Sequence, residues 1–248
     1  MAEPTNDARL AVLIDADNAS AQHLERLLVE IAKYGTATVR RAYGDWTSTR
    51  LSKWKPELLA HSVQPIQQFA YTTGKNSTDS ALIIDAMDLL HGGTVDGFCL
   101  VSSDSDFTRL AARIREQGLA AYGFGQRKTP KPFVAACTQF VYVENLVEPE
   151  AAPEPAAAAP AFKKDPALDK LLSEAVESAA GDDGWTQLGT VGSNLSRLAS
   201  DFDTRTWGYA KLRDLMEAHP SYEMTSRKAG DGRQSNAYVR KAPRRKSR

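Results

Sequence analysis

The sequence predicts an α/β domain, a parallel sheet with helices on both faces, followed by a small winged helix-turn-helix domain. Three observations carry that prediction. Strand-like and helix-like patterns alternate strictly from Leu10 to Asn145, as in a chain of β-α-β crossovers. An Ala-, Pro- and Glu-rich stretch at 147–164, VEPEAAPEPAAAAPAFKK, then interrupts the chain; it cannot build a packed core and its prolines favour an extended linker. Beyond it the pattern changes to three amphipathic helices and a hairpin. The expected layout is one domain at 8–147, a linker at 148–164, a second domain at 165–241 and a basic tail at 242–248.

Each element has its own reason. LAVLID (10–15) is a continuous apolar run, suited to a strand covered on both faces. In AQHLERLLVEIAKYG, Leu24, Leu27, Leu28 and Ile31 recur at helical spacing, and Gly35 stops the helix. ATVRRAYG (37–44) and VQPIQQFA (63–70) read as strands, and DSALIIDAMDLLHGG as a helix with a Gly stop. FCLVSS (98–103), a helix from about Asp106 to Gln117, LAAYGFG (119–125), a short helix at 131–137 and FVYVEN (140–145) complete the half. Crossovers are expected to be right-handed. In the second half, Leu168, Leu171, Leu172, Ala175 and Val176 share a helical face. TQLGTVGSNLSRLAS and TWGYAKLRDLMEAH read as two further helices. SYEMTSR and SNAYVRK alternate as strands around AGDGRQ.

Bulk properties narrow the function little. At 42% hydrophobic and 25% charged, 248 residues suffice for two domains with real cores. Net charge is +0, so total charge selects no partner. Cys99 and Cys137 lie in apolar stretches and read as reduced core residues. No stretch approaches the ~20 apolar residues of a membrane span, and the start lacks a basic segment before its apolar run. A cytoplasmic protein without membrane contact is expected.

The chemistry concentrates at two strand ends. LAVLID closes in Asp15, with Asp17 and Asn18 following; FCLVSS delivers Asp104 and Asp106. Sheets of this class bind ligands at the carboxyl ends of their strands, beside the switch in strand order. If the two strands are central neighbours, these carboxylates converge, and Asp79 at the start of the preceding helix reaches the same rim. Two unscreened carboxylates ~4 Å apart repel by about 4 kcal/mol at an effective dielectric near 20. Several such pairs would consume much of a typical ~5–15 kcal/mol folding stability. The cluster must therefore take up protons or bind cations, and oxygen ligands without His or Cys favour Mg²⁺ or Mn²⁺. Asp17 or Asp106 taken alone also reads as a helix N-cap. Asp85 stands six residues after Asp79, about 240° around the helix, and faces elsewhere. Lys75 in TTGKNSTDS can meet a phosphate or balance the acids, and a solvated loop lysine fits equally. Neither GKN nor GFGQRK completes a phosphate loop or a dinucleotide fingerprint, so no organic cofactor is expected.

LIDADNAS, GKNSTDSALIIDAMD and CLVSSDSDFTRLAARIREQG resemble the three signature segments of NYN domains, the LabA-like branch of the PIN-like nuclease superfamily. The resemblance covers about residues 8–147. It implies a PIN-like, Rossmannoid sheet and a Mg²⁺- or Mn²⁺-dependent ribonuclease. Carried over residue by residue, the acidic metal positions fall on Asp15, Asp79, Asp104 and Asp106, with Asn18 and Ser102 at flanking positions that orient the site. DGWTQLGTVGSNLSRLASDFDTRTWGYAKLRDLMEAHPSYEM resembles the OST-HTH, or LOTUS, domain, which implies RNA binding. There Trp185, Leu195, Trp207, Tyr209 and Leu212 have the spacing of buried faces, and Trp207 or Tyr209 stacking on a base is the alternative.

Charge distribution agrees with RNA as the partner. From Arg227 to the end there are nine Lys or Arg against one acid, whereas 165–226 carry five basic and eleven acidic residues. Arg240, Lys241 and the tail KAPRRKSR are thus candidate phosphate contacts. In the first domain Arg40, Arg41, Arg50, Lys53 and Lys55 interleave with Tyr43, Trp46 and Trp54, a candidate track for single-stranded RNA, or else a solvated face with packed aromatics. Lys128 is a further candidate. The reading that follows is an endoribonuclease for single-stranded or loop RNA. Asp15 and Asp104 hold the ion, Asp79 and Asp106 complete one or two sites, and Lys75 stabilises phosphate charge. A non-catalytic RNA-binding regulator is one alternative. A haloacid-dehalogenase-type phosphatase is another; LIDADNA begins its hhhhDxDx[TV] motif but has Ala19 where Thr or Val is expected.

Overall fold

A computed structural model describes residues 7–69, 77–146, 165–181, 183–228 and 235–242. Contacts divide the chain into two compact units, Met1–Pro149 and Glu150–Arg248. The 148–164 linker, the 229–234 hairpin loop, the tail beyond Ala242 and Lys75 lie outside the described residues.

In the first unit, β1 (Arg9–Asp15), β2 (Thr36–Gly44), β3 (Gln64–Gln67), β4 (Gly97–Val101), β5 (Ala120–Gly125) and β6 (Gln139–Tyr142) form one sheet in the order β3-β2-β1-β4-β5-β6. All five pairings are parallel. The connecting helices are α1 (Leu24–Ile31), α2 (Trp54–Ala60), α3 (Ser77–Gly92), α4 (Thr108–Glu116) and α5 (Lys131–Ala136). Leu10, Val12 and Ile14 of β1 pack with Leu24, Leu27 and Ile31 of α1 and with Trp54 and Leu58 of α2. Ala11 and Leu13 face the other way, with Leu82 and Ala86 of α3, Leu110 and Ile114 of α4, and Phe133 of α5. This two-sided burial is why β1 reads as an unbroken apolar run. The edge strands β3 and β6 have four residues each, and β3 carries Pro65 opposite Ala42. They are shorter than expected because VQPIQQFA leaves the ladder after Gln67 and FVYVEN turns into a 3-10 segment at Val143–Asn145. Cys99 and Cys137 are buried and unpaired, and burial pushes both thiols up, Cys137 to about 12.

The second unit packs α6 (Pro166–Glu177), α7 (Leu188–Leu198) and α8 (Leu212–Ala218) around Leu168, Leu172, Val191, Leu195, Leu215 and Met216. A three-stranded antiparallel sheet runs β7-β9-β8, with β7 at Thr186–Gln187, β8 at Tyr222–Lys228 and β9 at Ser235–Lys241. Asp165 caps α6 by accepting from the amides of Ala167 and Leu168. Two expectations need correcting. TWGYAKLRDLMEAH is not one helix: Gly208 takes φ 84° and ends a 3-10 turn at Thr204–Trp207 before α8 starts. TQ, expected in a helix, instead forms a third strand beside Val239 and Tyr238.

No helix among the described residues is long and apolar enough to cross a membrane.

Candidate metal centre

The strand order turns between β1 and β4, which are hydrogen-bonded neighbours in the middle of the sheet. Their carboxyl ends therefore lie side by side, where ligands collect in open α/β sheets. Asp15 at the end of β1 is 0% exposed. Its Oδ2 accepts from Ser102 Oγ at 2.7 Å and from Asn18 Nδ2 at 2.8 Å, and its Oδ1 accepts from the Asn18 amide at 3.3 Å. Burial pushes the Asp15 carboxyl up, and these donors pull part of the way back. Ser102 Oγ also accepts from the Asp104 amide at 3.1 Å, so one hydroxyl ties the two strand ends together.

Beyond β4 the chain makes a 3-10 turn at Ser105–Phe107, capped by Asp104, whose Oδ1 accepts from the Asp106 amide at 2.9 Å. Asp106 lies inside this turn and is not the N-cap. Asp17 is not a cap either: Ser20 caps the turn before α1. Asp17 instead accepts from Thr78 Oγ1 at 3.1 Å and stands 3.9 Å from Arg50 Nη2. It thereby holds the first turn of α3, and that turn carries Asp79.

Oxygens of Asp79, Asp104 and Asp106 all lie within 4.8 Å of one another. Asp79 is nearly buried at 9% exposure, and its carboxyl is pushed up to about 6. Burial is the largest cause, followed by the charges of Asp15, Asp104, Asp106 and Asp17. The donors are carboxylate oxygens, they meet within one ion's reach, and burial together with the neighbouring negative charges makes one of them resist ionisation. That set fits a hard divalent cation such as Mg²⁺ or Mn²⁺. The trio differs from the expected Asp15–Asp104 core: Asp15 sits beneath, with both oxygens already accepting protein donors.

Asp85 faces away from this rim, as its helical position requires. It pairs with Arg41 and accepts from the Tyr43 hydroxyl, and burial together with Asp85 pushes that phenol up. Of the two readings of the 40–55 run, the packed-aromatic one describes Tyr43 and Trp54. Arg40 and Arg41 are strand neighbours and point to opposite faces, Arg40 Nη1 donating to the His61 carbonyl at 3.0 Å and Arg41 meeting Asp85. Tyr43 and Trp54 are core residues at 0% and 4% exposure. Trp46 remains half-buried at the sheet's carboxyl edge, with Nε1 donating to the Ile66 carbonyl at 3.0 Å. Lys53 is exposed at the start of α2. Lys128 is exposed and lines a cavity with Asp104.

In the second unit, Trp207 packs on Phe202 and its Nε1 donates to Asp165 at 3.0 Å, while Tyr209 is 5% exposed; both are structural. Arg240 pairs with Glu223 at 2.8 Å and Lys241 pairs with Glu177. The sequence reading missed a stack on the outer face of the hairpin. The Arg240 guanidinium lies 4.5 Å from the Trp185 ring centre, and Arg227 lies 5.3 Å from Trp185 and 4.9 Å from Tyr238. Strand alternation held the signal, because Arg227, Tyr238 and Arg240 share the face opposite buried Val239.

The family model of the NYN domain matches residues 9–144, and that of the OST-HTH/LOTUS domain matches residues 162–234. No curated protein matches the chain. Among solved structures, a protein of unknown function from Vibrio parahaemolyticus is similar at 18% identity and a TM-score of 0.48, over 59% of this chain and 98% of that one. An uncharacterised protein from Nitrosomonas europaea, solved by NMR, shares 32% identity at a TM-score of 0.32, over 41% of this chain and 97% of that one.

Proposed function

The chain belongs to the NYN-domain family and carries an OST-HTH/LOTUS domain after it; from that premise we propose that it is a divalent-metal-dependent endoribonuclease acting on single-stranded or loop RNA. The observation that carries the proposal is the meeting of Asp79, Asp104 and Asp106 within 4.8 Å at the switch in strand order. These three carboxylates hold Mg²⁺ or Mn²⁺. Such an ion, when bound, supplies charge to a phosphoryl oxygen and lowers the pKa of water, so the protein needs no side-chain nucleophile.

The chain's own residues position this site. Asp15, fixed by Ser102 and Asn18, holds the two central strand ends in register and adds negative charge beneath the trio. Thr78 and Asp17 fix the helix turn that presents Asp79. The OST-HTH domain holds RNA, and a linker lets two modules engage one strand at raised effective concentration. Two buried thiols suit a reducing cytoplasm.

The test is cleavage of labelled single-stranded RNA with Mn²⁺, with EDTA, and by Asp104→Asn. Cleavage that needs the ion and is lost in a folded Asp104→Asn supports the proposal; equal cleavage by the variant refutes the roles assigned. A phosphatase role gains no support, because the Asp15 oxygens that would attack phosphorus are buried and engaged. One observation favours a non-catalytic RNA-binding regulator: Asp104 already has a structural duty as a turn cap. Tight RNA binding without ion-stimulated turnover would select that reading.

A further inference from the structure

We infer that the cavity between Lys128 and Asp104 is a phosphate subsite, which takes a phosphate of the RNA strand beside the one being cut. This rests on the nuclease reading of the carboxylate trio. The cavity measures about 220 Å³ and is lined by Asn18, Ser103, Asp104, Ser105, Lys128 and Pro130. Its near wall is the acidic end of β4, and its far wall is the loop after β5.

The loop is built to present Lys128. The Gln126 amide donates to Ser103 Oγ at 2.9 Å, which anchors the loop to the β4 side. The Thr129 amide and Oγ1 both donate to the Gln126 carbonyl, at 2.9 and 2.6 Å, closing a tight turn over Arg127 and Lys128. Arg127 is drawn away from the cavity: its amide donates to Glu144 at 3.0 Å and its Nη2 to Asn145 at 2.8 Å. Gly125 allows the turn to sit this close, since a Cβ there would lie 2.6 Å from the Ser102 carbonyl and 2.7 Å from Thr129 Oγ1. Lys128 is left on the cavity side, exposed. It makes none of the salt bridges found among the described residues, although Asp104 lines the same cavity. Ser103 Oγ accepts from Gln126, which leaves its hydroxyl proton to donate to an anion.

The test measures equilibrium binding of an eight-nucleotide single-stranded RNA to the full chain in EDTA, without turnover, across a series of salt concentrations. Lys128→Gln is expected to weaken binding roughly five- to tenfold at low salt and to flatten the slope of log affinity against log salt by about 0.7, the loss of one single-strand phosphate contact. Lys128→Arg should restore the slope. Lys33→Gln is the control, because Lys33 precedes the amino end of β2, away from the strands' carboxyl ends, and pairs with Glu30. RNAs ending in a 5′-phosphate or a 5′-hydroxyl separate the two sources of the group. A Lys128-dependent slope with both ends identifies an internal phosphodiester, and one seen only with the 5′-phosphate identifies a terminal phosphate. If Lys128→Gln matches the control in affinity and slope, the subsite is refuted, whether or not the wild type cleaves RNA. If the slope falls but the wild type never cleaves, the subsite stands and the nuclease reading fails.

Discussion

Replacing Asp79 by Asn should stabilise the first domain at neutral pH in EDTA while removing its response to divalent ions. The folded carboxyl titrates at about 6, against 3.8 in its ordinary state. Below about pH 4 it is protonated in both folded and unfolded chains, so its ionisation takes nothing from stability. As pH rises from about 4 to 6 the unfolded chain ionises first, and stability is lost across that window. Moving a carboxyl from 3.8 to about 6 corresponds to about 3 kcal/mol. The site opens to water on the Asp106 side, which screens part of the repulsion, so about 1–2 kcal/mol is expected. Asn keeps the shape and cannot ionise. For a domain of this size that gain is roughly 3–7 °C in Tm. Calorimetry of the full chain in EDTA at pH 4 and 7.5 measures it, with Mn²⁺ added in a parallel series. Wild type should gain stability from Mn²⁺ at pH 7.5 and the variant should gain little. The reasoning fails if Asp79→Asn lowers Tm at pH 7.5, or if its effect is the same at both pH values.

Four further outcomes are expected. Ser102→Ala leaves Asp15 and the Asp104 amide each short of a partner, and should cost about 1–3 kcal/mol in chemical denaturation and slow ion-dependent RNA cleavage. Gly125→Ala should destabilise by about 1–3 kcal/mol by forcing the β5 loop off Ser102. Gly92→Ala, with nothing within 4 Å of its added methyl, is the matched comparison and should be close to neutral in the same unfolding assay. Leu195→Ala empties a fully buried position in the second unit and should cost about 2–5 kcal/mol, read as a shift of that domain's unfolding transition alone.

Local pattern determined most of the first domain's architecture. The unbroken apolar runs of β1 and β4 state that both faces are covered, and burial on both sides follows. The carboxylates at those strand ends were equally legible, because an acid closing an apolar strand has few structural uses. Three of the four acids named from the sequence, Asp79, Asp104 and Asp106, do come within one ion's reach; the separate place of Asp15 was not legible. Asp15 and Asp104 occupy comparable places in sequence, yet Asp15 is buried under donors from Ser102 and Asn18, while Asp104 turns outward to join Asp79 and Asp106. That division depends on a 3-10 turn whose cap uses the residue two before the expected one. The basic and aromatic run at 40–55 left two readings open for a related reason: composition ignores that neighbours on a strand face opposite sides, which separates Arg40 from Arg41 and sends Tyr43 into the core. In the second domain, periodicity continued through Gly208 although the backbone does not, because its left-handed conformation reverses the chain without disturbing the apolar spacing.

Pro65 has a consequence for molecules that meet in concentrated solution. It stands in β3, whose one hydrogen-bonded neighbour among the described residues is β2. A proline has no amide hydrogen, so the open side of this four-residue edge presents a broken and very short ladder. A second copy arriving there finds too little backbone to extend the sheet, and runaway growth of a shared ribbon is discouraged at that border without any loss of order inside it.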